Sequence, residues 1–243
     1  MSGMVVASIV AQPRIVGVSV DDWIEFGDIT VNWSSNDPNA TFPPPATEWL
    51  KETNETEWMK MTVTDVSSPN ITFQILSHYK NGTEGSYGGY INIDTGDNTN
   101  GTFMAISANL QTNDTIYSSG PYSSWRINET ISRTYPDGVR ETNHLNLTYG
   151  PYSWNVSEMQ YYYYYTMNFY WDRATGLLVE DYFEEINQTG EYITTWSELS
   201  RTTNSNVWVI PEFPVWSLTL LMLVVLTATI ATIKQRLLKT PIH

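Results

Sequence analysis

The sequence predicts a mainly β protein: an antiparallel meander of about nine to eleven strands, arranged as a barrel, half-barrel or sandwich, and one C-terminal transmembrane helix. Three observations predict it. From about residue 15 to 208, short runs rich in aromatic and β-branched residues are broken by Asn, Asp, Gly, Ser and Pro, with little helical periodicity. Strong turn chemistry recurs between these runs, as in Pro136-Asp137-Gly138. Residues 215–233 then form an uncharged run dominated by Leu, Val, Ile, Ala and Thr, long enough as a helix to span a bilayer of about 30 Å.

Taken in order, "MVVASIVA" (4–11) is short, apolar and ends in a small residue. It reads as the end of a truncated signal peptide over residues 1–14, or as an ordered first strand. "DWIEFGDITVNW" (22–33) is the first clear strand of the 15–208 domain. In "EWMKMTVTDV" (57–66), Trp58, Met59, Met61, Val63 and Val66 approximate the alternation of a half-buried strand, and "SSPN" (67–70) turns the chain into "NITFQILSHYK" (70–80). "GGYINID" (88–94) is a further strand, and "FMAISANLQ" (103–111) is read as one short helix. Pro136-Asp137-Gly138 closes a hairpin between two polar-alternating runs. "NFYWDRATGLLVEDYFEEI" (168–186) forms a second hairpin, turning at residues 172–176, and "EYITTWSELSRTT" is the last strand. A faint echo between "VSVDDWIEFG" (18–27) and "LQTNDTIYSS" (110–119) fits two similar lobes or one sheet built twice.

Five tyrosines in a row within "QYYYYYTMNFYW" (160–171) cannot share a face, because neighbours on a strand alternate. Tyr161, Tyr163 and Tyr165 point one way and Tyr162 and Tyr164 the other. One set is expected to fill the core. The functional reading makes Tyr161, Tyr163 and Tyr165 a platform for a sugar or apolar ligand; the structural one makes this a strand buried on both faces.

The chain carries 26 acids against 12 Lys and Arg, a net charge of -14, which repels nucleic acid and favours cations or a basic partner. The same charge also reads as a solvated, solubilising exterior. No cysteine is present, which excludes disulfides and Cys-based metal or redox sites. Asp94-Thr95-Gly96 has the local form of an aspartic-protease loop, but no second such triplet exists to share the proton, so it reads as a turn at a strand end. Asp94, Asp97 and Asn98 offer oxygen ligands for calcium without the EF-hand spacing. His78, His144 and His243 lack zinc spacing. Glu180, Asp181, Glu184 and Glu185 resemble a glycosidase pair only in composition; on an alternating strand they read as a solvated acidic face. No cofactor, no metal and no catalytic residue is expected.

Of 19 asparagines, eleven lie in N-x-[ST]: Asn32, Asn39, Asn54, Asn70, Asn81, Asn100, Asn113, Asn128, Asn146, Asn155 and Asn187. Ser and Thr are frequent enough that chance would give roughly four, and the excess predicts N-glycosylation on the outer side of a membrane. All eleven precede the apolar run. Trp216 sits as an interfacial anchor, and Lys234, Arg236 and Lys239 place the 234–243 tail in the cytoplasm.

Pro211, Glu212, Phe213 and Pro214, followed by the apolar run and the basic cluster, resemble the PEF-CTERM sorting signal of archaeal surface proteins over about residues 209–239. That resemblance implies recognition by a membrane-embedded archaeosortase, which removes the helix and leaves the outer domain at the surface. Leu237, Leu238 and residues 240–243 extend past the usual end of such tails, and residues 209–214 also read as a rigid Pro-rich stem before an ordinary anchor. The turn from Trp171 to Glu180, W-D-x-x-T-G-L-L-V-E, resembles one hairpin of bacterial lipoprotein-carrier (LolA-like) half-barrels.

The expected protein is a surface-anchored, N-glycosylated, non-catalytic envelope component with a structural or adhesive role. Its expected partners are the membrane, an archaeosortase-type enzyme and other envelope glycoproteins, with no nucleic acid. A lipid- or glycan-binding β module is the alternative, and a surface hydrolase the distant one.

Overall fold

A computed structural model describes residues 14–44, 47–156 and 159–207. The signal-peptide segment through residue 13, the stem with Pro211, Glu212, Phe213 and Pro214, the 215–233 span and the basic tail lie outside the described residues. Among the described residues no helix is long and apolar enough to cross a membrane.

The described chain builds β1 (Trp23–Ser35), α1 (Trp49–Glu55), β2 (Thr56–Ser67), β3 (Asn70–Tyr79), β4 (Glu84–Asn92), β5 (Asn98–Thr99), β6 (Glu129–Tyr135), β7 (Gly138–Val156), β8 (Met159–Asp172), β9 (Leu178–Thr189) and β10 (Tyr192–Ser205). All ten strands belong to one antiparallel sheet ordered β5-β4-β3-β2-β1-β10-β9-β8-β7-β6. Two five-stranded meanders therefore meet at the β1–β10 pair, and β5 and β6 are the outer strands of an open sheet. The predicted hairpins at residues 136–138 and 172–176 both form. The proposed repeat does not: its first copy enters β1, whereas its second lies in the irregular segment between β5 and β6.

The period-2 pattern sends alternate residues of each strand to one inner face. Met61 and Val63 of β2, Ile71, Phe73 and Ile75 of β3, and Phe169 and Trp171 of β8 are all buried there. On β1 the phase changes. Ile24 and Phe26 are buried, then the register slips around Gly27, after which Ile29, Val31 and Trp33 take the same side. A bulge at this position keeps both halves of a long strand apolar on one face despite an odd spacing.

Residues 100–128 cover the inner face. "FMAISANLQ" was expected to be helical and is not: Phe103, Met104, Ala105, Ile106, Ser107, Ala108 and Leu110 are all buried. Buried without a break from Phe103 to Ala108, this run satisfies its backbone on the β8–β9 turn instead. Ile106 N–H donates to the Gly176 carbonyl, and Leu178 N–H donates to that of Met104. The approach is close at two glycines. A Cβ on Gly101 would lie 2.1 Å from the Phe73 ring, and one on Gly176, at φ 77°, would lie 2.1 Å from the Ile106 carbonyl oxygen.

α1 was not foreseen. β1 pairs with β2 only from Trp23 to Phe26, while its pairing with β10 continues to Ser35. Beyond Phe26 the two strands separate, and α1 packs against β1 there. Leu50 is its buried anchor. Seven residues cannot hold a helix in isolation, so packing rather than propensity sustains this turn.

Candidate ligand cavity on the inner face

Where β1 and β2 part, the inner face retains a cavity of about 560 Å³. Its walls come from five sources: Phe26 of β1, Trp49 and Thr53 of α1, Met59 of β2, Thr102, Phe103 and Met104 of the covering segment, and the β8–β10 ladder. The aromatic rings form a connected wall. Trp49 meets Phe183 and Trp196 edge-on at 5.8 and 5.7 Å, Phe169 meets Phe183 at 5.5 Å, and Phe103 meets Phe169 at 4.9 Å. Trp49 stands 42% exposed, at the mouth. Phe103 sits at φ 63°, a left-handed conformation that costs a bulky residue about 1–2 kcal/mol. It is held there by the Trp171 Nε1–H, which donates to its carbonyl at 2.7 Å.

The charged part of the lining is acidic. Alternation along β9 and β10 brings Asp181, Glu198 and Ser200 to the inner face beside Phe183 and Phe169. Glu198 is only 2% exposed and lies opposite Val31 on one side and Phe183 on the other. Its Oε1 accepts from the Ser200 hydroxyl, while its Oε2 has no hydrogen-bond partner. No Lys, Arg or His lines this cavity among the described residues. Burial pushes the Glu198 carboxyl up to about 7. Burial, and then the Glu198 charge, raise Asp181 well above the usual carboxylate range.

The four acids read together on β9 thus part company. Glu180 faces outward but is buried, with Arg133 Nη2 at 2.6 Å from its Oε1 and Arg201 Nε at 3.4 Å from its Oε2. Arg133 also lies 4.0 Å over the Tyr170 ring. This is a structural cluster rather than a solvated face. Glu184 follows Glu180 outward, whereas Glu185 points inward opposite Tyr165 and Trp196, its carboxyl raised by burial.

The tyrosine strand also departs from its expected arrangement. Neither set fills the core, since all five rings are half-buried and the core positions of β8 belong to Phe169 and Trp171. Of the proposed platform only Tyr165 lines the cavity, and burial pushes its hydroxyl up to about 12. Tyr163 lies next along the same face, and Tyr161 stacks on Trp154 at 5.5 Å towards the hairpin end. The reason is strand length: β7 and β8 run far beyond the core, so their distal residues have no layer above them.

The other sequence signals stay apart. His78 stacks on Trp58 at 5.1 Å and His144 on Tyr170 at 4.3 Å, in different halves of the sheet. Asp94 accepts at its carbonyl from Ser118 and Ser119 N–H as part of a turn. Among the described residues no group of three or more His, Cys, Asp or Glu could hold a metal. A more open hollow of about 750 Å³ over β3–β5 has a polar lining with one aromatic ring, Tyr90.

Sequence reasoning missed Trp49, Phe103, Phe183 and Glu198. For Glu198 a signal existed: in "TTWSELS" it stands two residues from Trp196, on the face that the tryptophan marks as buried. No family model and no curated sequence matches this chain.

Proposed function

We propose that this protein is a surface-anchored, N-glycosylated, non-catalytic module that holds an apolar small molecule in the cavity of an open half-barrel. The observation that carries it is the cavity, about 560 Å³ walled by Trp49, Phe103, Phe169 and Phe183, within the range of small-ligand sites. Anchorage through residues 215–233, release by an archaeosortase-type enzyme at Pro211, Glu212, Phe213 and Pro214, and an outward-facing domain are proposed from the sequence. The exposure of the Asn32, Asn39, Asn54, Asn81, Asn100, Asn113, Asn128, Asn155 and Asn187 side chains supports the glycosylated, outer-side reading.

The test is titration of the full chain with a neutral apolar fluorophore, followed by its emission and by Trp49 quenching. Saturable one-to-one binding, weakened about tenfold by Trp49→Ala, is expected. Absence of saturation overturns the reading. An adhesive role is the second reading, favoured by the exposed Tyr152, Trp154, Val156 and Met159 at the far end of the β7–β8 hairpin.

A further inference from the structure

We propose that the cavity takes a primary alkylammonium, its protonated amine held by Asp181 and Glu198 and its apolar body among Trp49, Phe103, Phe169 and Phe183. This rests on the ligand-binding reading above and names the ligand's chemistry.

Buried carboxylates are kept in folded proteins when they are paired or fully hydrogen-bonded. Glu180 on the neighbouring strand meets that rule with two arginines, and Asp137 and Asp172 meet it with Arg140, at 2.5 and 3.1 Å. Asp181 and Glu198 do not. Two acids line the cavity, no basic side chain among the described residues does, and Glu198 Oε2 is buried without a donor. What is missing is a positive charge carrying hydrogen-bond donors. Aromatic walls favour a cation through their ring faces and cover an alkyl body equally well. The orphan oxygen selects a primary ammonium over a quaternary one, because only the former has N–H groups to give it. A chain of net charge -14 also draws cations toward the mouth.

Ammonium capture needs Glu198 ionised, so binding below neutral pH expels its proton to the buffer. The groups facing Glu198 are Asp181 and Glu185 from β9, Tyr165 from β8, Ile29 and Val31 from β1, and Trp49 and Thr53 from α1. Asp181, whose own carboxyl the Glu198 charge raises, repels it when both are ionised in the empty cavity and stabilises the cation once it arrives.

Calorimetric titration of the full chain at pH 8 with octylammonium, octyltrimethylammonium and 1-octanol tests this. Octylammonium is expected to bind about tenfold tighter than either of the others. Glu198→Gln, which keeps the Ser200 contact, is expected to bring the octylammonium affinity down to that of 1-octanol, and Asp181→Asn to reduce the preference. The wild-type octylammonium affinity is also expected to rise between pH 5 and pH 8 while that of 1-octanol does not (about one proton released, by linkage). Equal affinity for octylammonium and 1-octanol, or a preference untouched by both variants, overturns the inference and leaves the apolar cavity standing. No saturation with any of the three overturns the ligand-binding reading itself.

Discussion

Glu198 concentrates the electrostatic cost of the inner face. Its ionisation is opposed by burial between Val31 and Phe183, and its carboxyl is pushed up to about 7. Because the folded form holds the proton more tightly than the unfolded one, the native state binds more protons between about pH 4.3 and 7, and stability from this group falls as pH rises through that window. Glu198→Gln removes the effect. The variant is expected to exceed the wild type by about 3–4 kcal/mol at pH 8 and to match it near pH 4. Denaturant unfolding of both proteins at the two pH values measures it, and a constant difference across pH contradicts the assignment. By contrast Arg140, buried beside Asp137, Asp172 and Ser205, has two carboxylates to balance its charge. Asp172 serves twice, since its Oδ1 also accepts from the Thr175 N–H and hydroxyl and so fixes the β8–β9 turn.

At the scale of elements, that turn and the covering segment form one unit. Gly176 is held at φ 77° against the Ile106 carbonyl, where a Cβ would lie 2.1 Å from the oxygen. Gly176→Ala is therefore expected to destabilise by about 1–3 kcal/mol and to loosen the Met104–Leu178 pairing. Denaturation and amide exchange at Leu178 and Ile106 check both effects; an unchanged midpoint contradicts the close approach. α1 depends on tertiary context in the same way. It exists where β1 leaves β2, and Leu50 fastens it while Trp49 closes the cavity wall.

For the whole molecule, glycan placement is the informative measurement. Nine sequon asparagines have exposed side chains, while Asn70 and Asn146 are half-buried. Asn146 Nδ2 donates to Thr166 Oγ1 and Asn168 Oδ1, and Asn70 Oδ1 accepts from Asn92. Mass spectrometry of the native protein is expected to find glycan at the exposed positions and none at Asn70 or Asn146. A chain unmodified at all eleven contradicts the outer-side topology. Heavy occupancy at Asn146 contradicts the outer-face network around Asn168 and His144.

The strands and hairpins were legible because alternation and turn residues are local: Met61 and Val63, the Pro136-Asp137-Gly138 turn and the 172–176 turn act through neighbours a few residues away. The eleven sequons and the acidic balance are likewise properties of composition, and they determine what the surface offers. The tertiary structure decided the rest. Joining β1 to β10 brings residues more than 150 apart into register, so Val31 meets Glu198 and Trp33 meets Trp196. Only that closure gives "FMAISANLQ" a sheet to lie on, and thereby a reason to follow the β8–β9 turn rather than coil into a helix. It also sorts Glu180 from Asp181. The two are adjacent in sequence and alike in chemistry, but alternation sends one to arginines and the other to an aromatic cavity. The sequence determined the alternation itself; which face would hold compensating charge was decided by strands far away along the chain.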